Sequence, residues 1–244
     1  GSDLSTDTTL ATAADATSDA GSYTITASGA SDPNYTITEN DGTLTVNPAA
    51  LTITADDDAK TFGDANPVFT ATYSGLTGGD TMGSDLSTDT TLATAATATS
   101  DAGAYTITAS GASDGNYIIT EVDGTLTVNP AALTITADDK SKEVGDANPP
   151  LTATFSGLTA GDTPTDLDTG VNLSTPADTT STVGTYSIFA SGAADGNYTI
   201  TQNDGTLTVN PMAMMASVNA VSNDVPVPMS LAPTANSAKT TQQS

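Results

Sequence analysis

Cysteine, histidine, arginine and tryptophan are all absent from the 244 residues. Without cysteine there is no disulfide framework. Without cysteine or histidine, the common zinc sites and the Ser-His-Asp and Cys-His nucleophile systems cannot be assembled. The only side-chain cations are four lysines, set against 29 acidic residues, for a formal net charge of −25. Nucleic-acid binding needs a cationic face, which this balance excludes. It also disfavours an anionic membrane surface. Its plain reading is a solvated acidic exterior. Aromatics make up 5% of the chain, too lean for one large core and suited to several small ones. No apolar stretch is long enough to span a bilayer, so no membrane insertion is expected. No phosphate-loop Gly-Lys-Ser or Gly-Lys-Thr occurs. Acidic residues are spread through repeated turns with no unique carboxylate pair, so glycoside hydrolysis is not expected either. The chain reads as a non-enzyme. It shows no signal peptide and does not begin with Met, so it is expected to be a processed or excised part of a longer precursor.

What is present is repetition. Gly1 to Pro48 matches Gly83 to Pro130 with five differences in 48 positions. A third copy stays in register: Tyr186-Ser187-Ile188-Phe189-Ala190-Ser191-Gly192 answers Tyr105-Thr106-Ile107-Thr108-Ala109-Ser110-Gly111. Self-similarity of this kind marks a duplicated module. The joints fall near Asn47-Pro48, Asn129-Pro130 and Asn210-Pro211. Gly-Thr-Leu-Thr-Val stands just before each, and Ala-Ala-Leu-Thr-Ile-Thr-Ala just after the first two. Such a connection is short and stiff, unlike a Gly/Ser tether, and a rod is expected. The reading divides the chain into 1–48, the second part of an incomplete module; 49–130 and 131–211, two complete modules; and 212–244, a tail.

Within each module apolar residues alternate with Thr, as in Leu51/Ile53, Phe69/Ala71/Tyr73 and Tyr105/Ile107/Ala109. Period-two patterning gives one core face and one Thr-rich face. Tyr35 and Ile37, then Leu44 and Val46, flank Asn40-Asp41-Gly42, and Asp-Gly predicts a tight hairpin turn there. No stretch keeps a helical apolar period. The fold expected is all-β, a tandem array of immunoglobulin-like sandwiches with six or seven strands each.

Lys60-Thr61-Phe62-Gly63-Asp64-Ala65-Asn66-Pro67 resembles a Lys-x-Tyr-Gly-Asp-x-Asn-Pro motif. It is followed by Ser74-Gly75-Leu76 and Gly79-Asp80-Thr81 and closed by Gly124-Thr125-Leu126-Thr127-Val128. This ordered series is similar to the MBG repeat domain of bacterial surface adhesins, among them filamentous-haemagglutinin-like and mucin-binding-related proteins. The resemblance covers residues 1–211. Phe62 and Val144 stand where the family has Tyr, and Pro150 follows Asn148-Pro149 in the third copy. The resemblance implies an extracellular or cell-surface location and no catalytic residues. By family name alone it suggests host or matrix glycans as partners.

Residues 1–48 lack the counterpart of Ala49 to Met82, a stretch of 34 residues, and the tail has 33. A sandwich missing strands exposes core and sheet edge. The tail begins Met212-Ala213-Met214-Met215-Ala216-Ser217-Val218, where a first strand should stand. The expectation is donor-strand exchange. Met212, Met214, Met215, Ala216 and Val218 would enter the incomplete module of the next subunit, against Tyr23, Ile25, Tyr35, Ile37, Leu44 and Val46. Head-to-tail addition that does not close makes a filament. The chain is thus expected to be a homopolymer, the structural subunit of an extracellular filament or biofilm matrix fibre. The alternatives are the stalk of a long adhesin and a glycan-binding module array.

Asp56-Asp57-Asp58 and Asp138-Asp139 follow the first strand, and clustered carboxylates suit Ca²⁺. They are the candidate metal ligands, although no EF-hand spacing occurs and turn-forming Asp is the simpler reading. No other cofactor is expected. Lys60 and Lys142 occupy equivalent positions and read as solvated, snorkelling side chains, with an Asn-linked isopeptide as the alternative. The recurring Asp-x-Asn-Tyr reads as a turn entering a strand.

Overall fold

The computed structural model describes residues 3–81 and 85–212. Among them there is no helix, and 17 strands fall into three sets. The first set is β1 (Thr9–Thr12), β2 (Gly21–Ser28) and β3 (Gly42–Val46). The second is β4 (Ala49–Ala55), β5 (Asp58–Thr61), β6 (Ala71–Ser74), β7 (Thr91–Thr94), β8 (Gly103–Ser110), β9 (Tyr117–Val122) and β10 (Gly124–Asn129). The third repeats the second: β11 (Ala131–Ala137), β12 (Lys140–Glu143), β13 (Ala153–Ser156), β14 (Asn172–Ser174), β15 (Gly184–Ser191), β16 (Tyr198–Asn203) and β17 (Gly205–Asn210).

Each seven-stranded module has a three-stranded sheet, β6-β4-β9 or β13-β11-β16. It also has a four-stranded sheet, β5-β10-β8-β7 or β12-β17-β15-β14. Alternation sets the faces. Leu51, Ile53 and Ala55 are buried along β4 while Thr52 is exposed, as the period-two pattern requires. The two sheets share a core: Ala55 of the first packs with Ile107, Ala109 and Leu126 of the second. Ala137 does the same with Ile188, Ala190 and Leu207.

Two bent ribbons organise the module. β4 and β5 are nearly continuous, broken only at Asp56-Asp57, where the chain passes from one sheet to the other. β9 and β10 do the same at Asp123. The ribbons run side by side and parallel, Ala49 opposite Tyr117 at one end and Thr61 opposite Asn129 at the other. Parallel pairs in both sheets depart from the antiparallel sheets of immunoglobulin domains.

This pairing corrects the hairpin expected at Asp-Gly. β9 and β10 belong to different sheets, and Gly124 does not have a positive φ. Glycine is required there because a Cβ would lie 2.5 Å from the Ala55 carbonyl oxygen, where the two ribbons cross between sheets. Gly205 meets Ala137 in the same way, at 2.3 Å. The aspartate before the glycine accepts a sheet N–H left over at the bend, Asp123 from Ala109 at 3.0 Å and Asp204 from Ala190 at 3.0 Å.

The first set has one sheet, β1-β2-β3, equivalent to β7-β8-β10. Among the described residues nothing stands where β5 pairs with β10, so one edge of β3 is unpaired. Tyr35 to Asn40, the counterpart of β9, is not a strand. β9 is an edge strand whose single partner is β4, and this module contains no β4 counterpart. The expected alternation at Tyr35/Ile37 is present, but it has nothing to pair with.

Candidate functional site

The ribbons carry the chain into a module beside Asn116-Tyr117 and out of it beside Phe62. The Ala49 N–H donates to the Asn116 carbonyl (2.8 Å) at the leading end. The Phe62 N–H donates to the Asn129 carbonyl (2.8 Å) at the trailing end. β10 and β11 are separated by Pro130 alone. The trailing end of one module therefore abuts the leading end of the next, and the residues at this joint are the most specific constellation among the described residues.

Three contacts lock the joint between the second and third modules. Phe62 is 4% exposed and sits in a cluster with Ala131, Leu133, Ile135 and Tyr198 of the following module. Its ring meets Tyr198 edge to face, centroids 5.5 Å apart and planes at 83°, the favoured geometry for aromatic quadrupoles. Gly63, at φ +91°, lies so close to Thr159 that a Cβ would fall 2.2 Å from its hydroxyl oxygen. Asn197 reaches back: its Oδ1 accepts the Ala102 N–H at 2.7 Å and its Nδ2 donates to Asp101 at 3.0 Å.

The aromatic and the glycine of the Lys-x-Phe-Gly-Asp motif are thus joint residues. The Asn of Asp-x-Asn-Tyr is a clamp as well as a turn residue. The expected turn is there, with the Asn197 N–H donating to Asp195 at 2.8 Å. Sequence reading missed the clamp, because the Asn that turns the chain and the backbone it grips lie 95 residues apart. Its one sequence signal is the recurrence of Asn before Tyr at 34, 116 and 197.

The Tyr that follows is anchored from its own module. The Tyr198 hydroxyl donates to Asp162 at 2.7 Å and accepts the Thr159 N–H at 3.1 Å. Burial is the main cause that pushes its phenol above the ordinary value, with Asp162 adding to it. Tyr117 repeats the arrangement with Asp80 (2.6 Å) and Thr77 (3.0 Å).

Lys60 is 7% exposed, not solvated as expected. Its Nζ donates to the carbonyls of Asp64 (3.0 Å) and Thr97 (2.5 Å). Lys142 repeats this with Asp146 and Asp178. The motif Asn donates alongside, Asn66 to the Ala96 carbonyl at 2.7 Å and Asn148 to that of Ala177 at 2.6 Å. Lysine and Asn together pin the loop after β5 to the loop before β8, which positions Phe62 and Gly63.

The candidate metal ligands are dispersed. Asp56 accepts from the Thr70 and Thr72 hydroxyls, both at 2.7 Å, and Asp138 from those of Thr152 and Thr154. Asp57 takes the Thr125 N–H at the ribbon crossing (2.7 Å), Asp139 that of Thr206 (2.7 Å), and Asp58 that of Ala59 (2.7 Å). Hydroxyl donors hold Asp56 and Asp138 below the usual carboxylate range. Among the described residues no three acidic groups converge on a point.

The candidate acceptor residues share the sheet of the first module or the segment beside it. Tyr35 is 67% exposed where Tyr117 and Tyr198 are 6%, and Leu44 is 37% exposed where Leu126 and Leu207 are fully buried. Tyr23, Ile25, Ile37 and Val46 are half-buried. Of the candidate donor residues, Met212 is exposed, and Met214, Met215, Ala216 and Val218 lie outside the described residues.

No curated protein matches the chain. A family model, the MBG domain of YGX type, matches it three times, over residues 1–45, 51–127 and 133–208. Repeats of this kind occur in adhesin-like surface proteins, and the chain is a tandem repeat region belonging to the MBG domain family.

Proposed function

We propose that this chain is a non-catalytic structural section of an extracellular bacterial surface fibre, in which MBG modules are strung end to end as a stiff rod. The observation that carries the reading is the joint. At the joint between the second and third modules one Pro separates the strands, and an aromatic, a glycine and an Asn clamp fix one module to the next; the Asn clamp recurs at the first joint through Asn116. Such contacts suit a part that holds distance and orientation. The charge of −25 supports a solvated acidic exterior with no affinity for nucleic acid. The same section would serve as a fibre subunit or as the stalk of an adhesin.

Under the subunit reading, strands from a second copy of this chain pair with the free edge of β3. Met212 to Val218, which continues from the last module as β4 continues from the first, is the donor this reading names. Electron microscopy of the purified chain after refolding tests it. Filaments that disappear when residues 212–244 are deleted support assembly by the tail. Dispersed short rods leave the stalk reading, and compact or flexibly linked particles overturn the rod altogether. A glycan array would instead bind sugars saturably, and few exposed aromatics are present to stack on them.

A further inference from the structure

Two of the five differences between residues 1–48 and 83–130 fall on one strand. Where the first module has Thr36 and Asn40, the second has Ile118 and Val122. Both lie on β9, four residues apart, so alternation puts them on one face with Thr120 between them. That face points outward: Ile118 is 65% and Val122 41% exposed. The third module keeps polar residues there, Thr199, Thr201 and Asn203 of β16. Of the three modules, the second alone shows this apolar pair to solvent.

β9 also ends its sheet. Its one strand partner is β4, with Thr52 opposite Thr120. Among the described residues, no backbone group from Ile118 to Val122 bonds another backbone group outside that ladder. Such an edge is a template for a further strand, and proteins commonly blunt it with Lys, Pro or a bulge. β9 reads Tyr-Ile-Ile-Thr-Glu-Val, with neither Lys nor Pro. Its one charge is engaged within the module. Glu121 accepts the Gly111 N–H (3.0 Å), the Ala112 N–H (3.1 Å) and the Thr90 hydroxyl (2.7 Å).

We propose that β9 is a self-association strand, which adds edge to edge to β9 of a second copy of this chain. The pattern of the strand selects that occupant. Ile118, Thr120 and Val122 are all β-branched and read alike in both directions about Thr120. An antiparallel pair centred there sets Thr120 opposite Thr120 and Ile118 opposite Val122 at each end. The two-fold axis stands normal to the sheet, so both strands present the same face. The contact is isologous and closes at two copies. No carboxylate opposes another in this register, since Glu121 faces Ile119 and Asp123 faces Tyr117 of the second copy. Two three-stranded sheets merge into one continuous sheet, and the two arrays run in opposite directions. Main-chain bonds hold the pair, and the apolar side chains select β9 over β16. The net charge of −25 on each chain opposes the contact, so screening by salt strengthens it. The contact is open to a fibre subunit and to a stalk alike.

The chain has no cysteine, so a single introduced thiol reports proximity. Thr120→Cys and its counterpart Thr201→Cys are made in the full 244-residue chain and oxidised with copper–phenanthroline. Salt is set at about 0.15 M, where the Debye length is about 8 Å. Directly opposed residues of antiparallel strands have Cα atoms about 4.5–5.5 Å apart, within disulfide reach. The expected result is a covalent dimer that forms at Thr120→Cys about tenfold faster than at Thr201→Cys, the scale of two cross-strand pairs. Adding Ile118→Thr and Val122→Asn should remove that advantage. β16 forms the same strand with Thr199 and Asn203 at those positions, so the double substitution keeps the fold. Equal rates at the two sites overturn the proposal, as does an advantage that survives the double substitution. A rate that rises when residues 212–244 are deleted makes the tail the occupant of this edge and also overturns it.

Discussion

Asn197 and Ala102 lie 95 residues apart in sequence, and the Asn197 Oδ1 accepts the Ala102 N–H at 2.7 Å across a module boundary. The other half of the amide holds Asp101, so both ends of one side chain are spent on the neighbouring module. Replacing Asn197 with Ala removes both bonds and should cost about 1–3 kcal/mol. Asn197→Asp should cost more at neutral pH, since it sets a carboxylate against Asp101. Urea unfolding checks this: the wild-type second and third modules should unfold together, and the variants should separate into two transitions.

Gly124 and Gly42 occupy the same position in successive modules, with opposite surroundings. A Cβ at Gly124 would strike the Ala55 carbonyl oxygen, whereas at Gly42 the nearest atom is the Ile25 Cβ at 3.6 Å. Gly124→Ala should destabilise by about 1–3 kcal/mol through overpacking. Gly42→Ala should leave the melting temperature of the chain within about 1 °C.

Lys60 is buried with carbonyl partners. Lys60→Met keeps the apolar stem and strips the donors from the Asp64 and Thr97 carbonyls, at about 1–3 kcal/mol by thermal denaturation. No Asn side chain bonds the Nζ, so intact mass should equal the sum of the residues, with no loss of ammonia.

Stability should fall in acid. Asp56, Asp114, Asp138, Asp166 and Asp178 are all held below the ordinary carboxylate value, by Thr hydroxyls or backbone N–H donors. In the window between the folded value and the unfolded value of about 3.9, the unfolded chain binds more protons. Their contribution is therefore full above that unfolded value and is lost as pH falls through the folded ones. Melting temperature should hold at pH 5 and decline as pH falls below about 4 towards 2. Tyr73 marks the opposite limit. Burial and the Asp89 carboxylate raise its phenol to about 12, so its share is intact below pH ~10 and lost as pH rises towards 12. The ultraviolet titration of Tyr73→Phe should lack the last-titrating phenol.

Much of the fold was legible in sequence because it is local. Leu51, Ile53 and Ala55 alternate with polar residues and all three are buried, and repetition multiplies that signal. What escaped is what depends on distant partners. Asp123-Gly124 looks like a hairpin turn to any local rule. Its glycine is instead demanded by Ala55, 69 residues earlier. Lys60 looks like a surface lysine until the loop before β8 closes over it. Phe62 could be recognised by its motif, but its burial belongs to the following module. Tyr35 to Asn40 shows the converse, a correct strand pattern that stays unpaired because pairing is a property of two segments.

The parallel ribbons have a mechanical consequence. The chain enters a module at Ala49, at one end of the ribbon pair, and leaves at Asn129, at the other. Tension along the array pulls these two parallel ribbons past one another. The hydrogen bonds between them lie across the pull and share the load, so they must break together and cannot be peeled off one at a time. Each complete module is thereby loaded in shear, the geometry that resists extension, and a chain strung this way transmits force before it yields length.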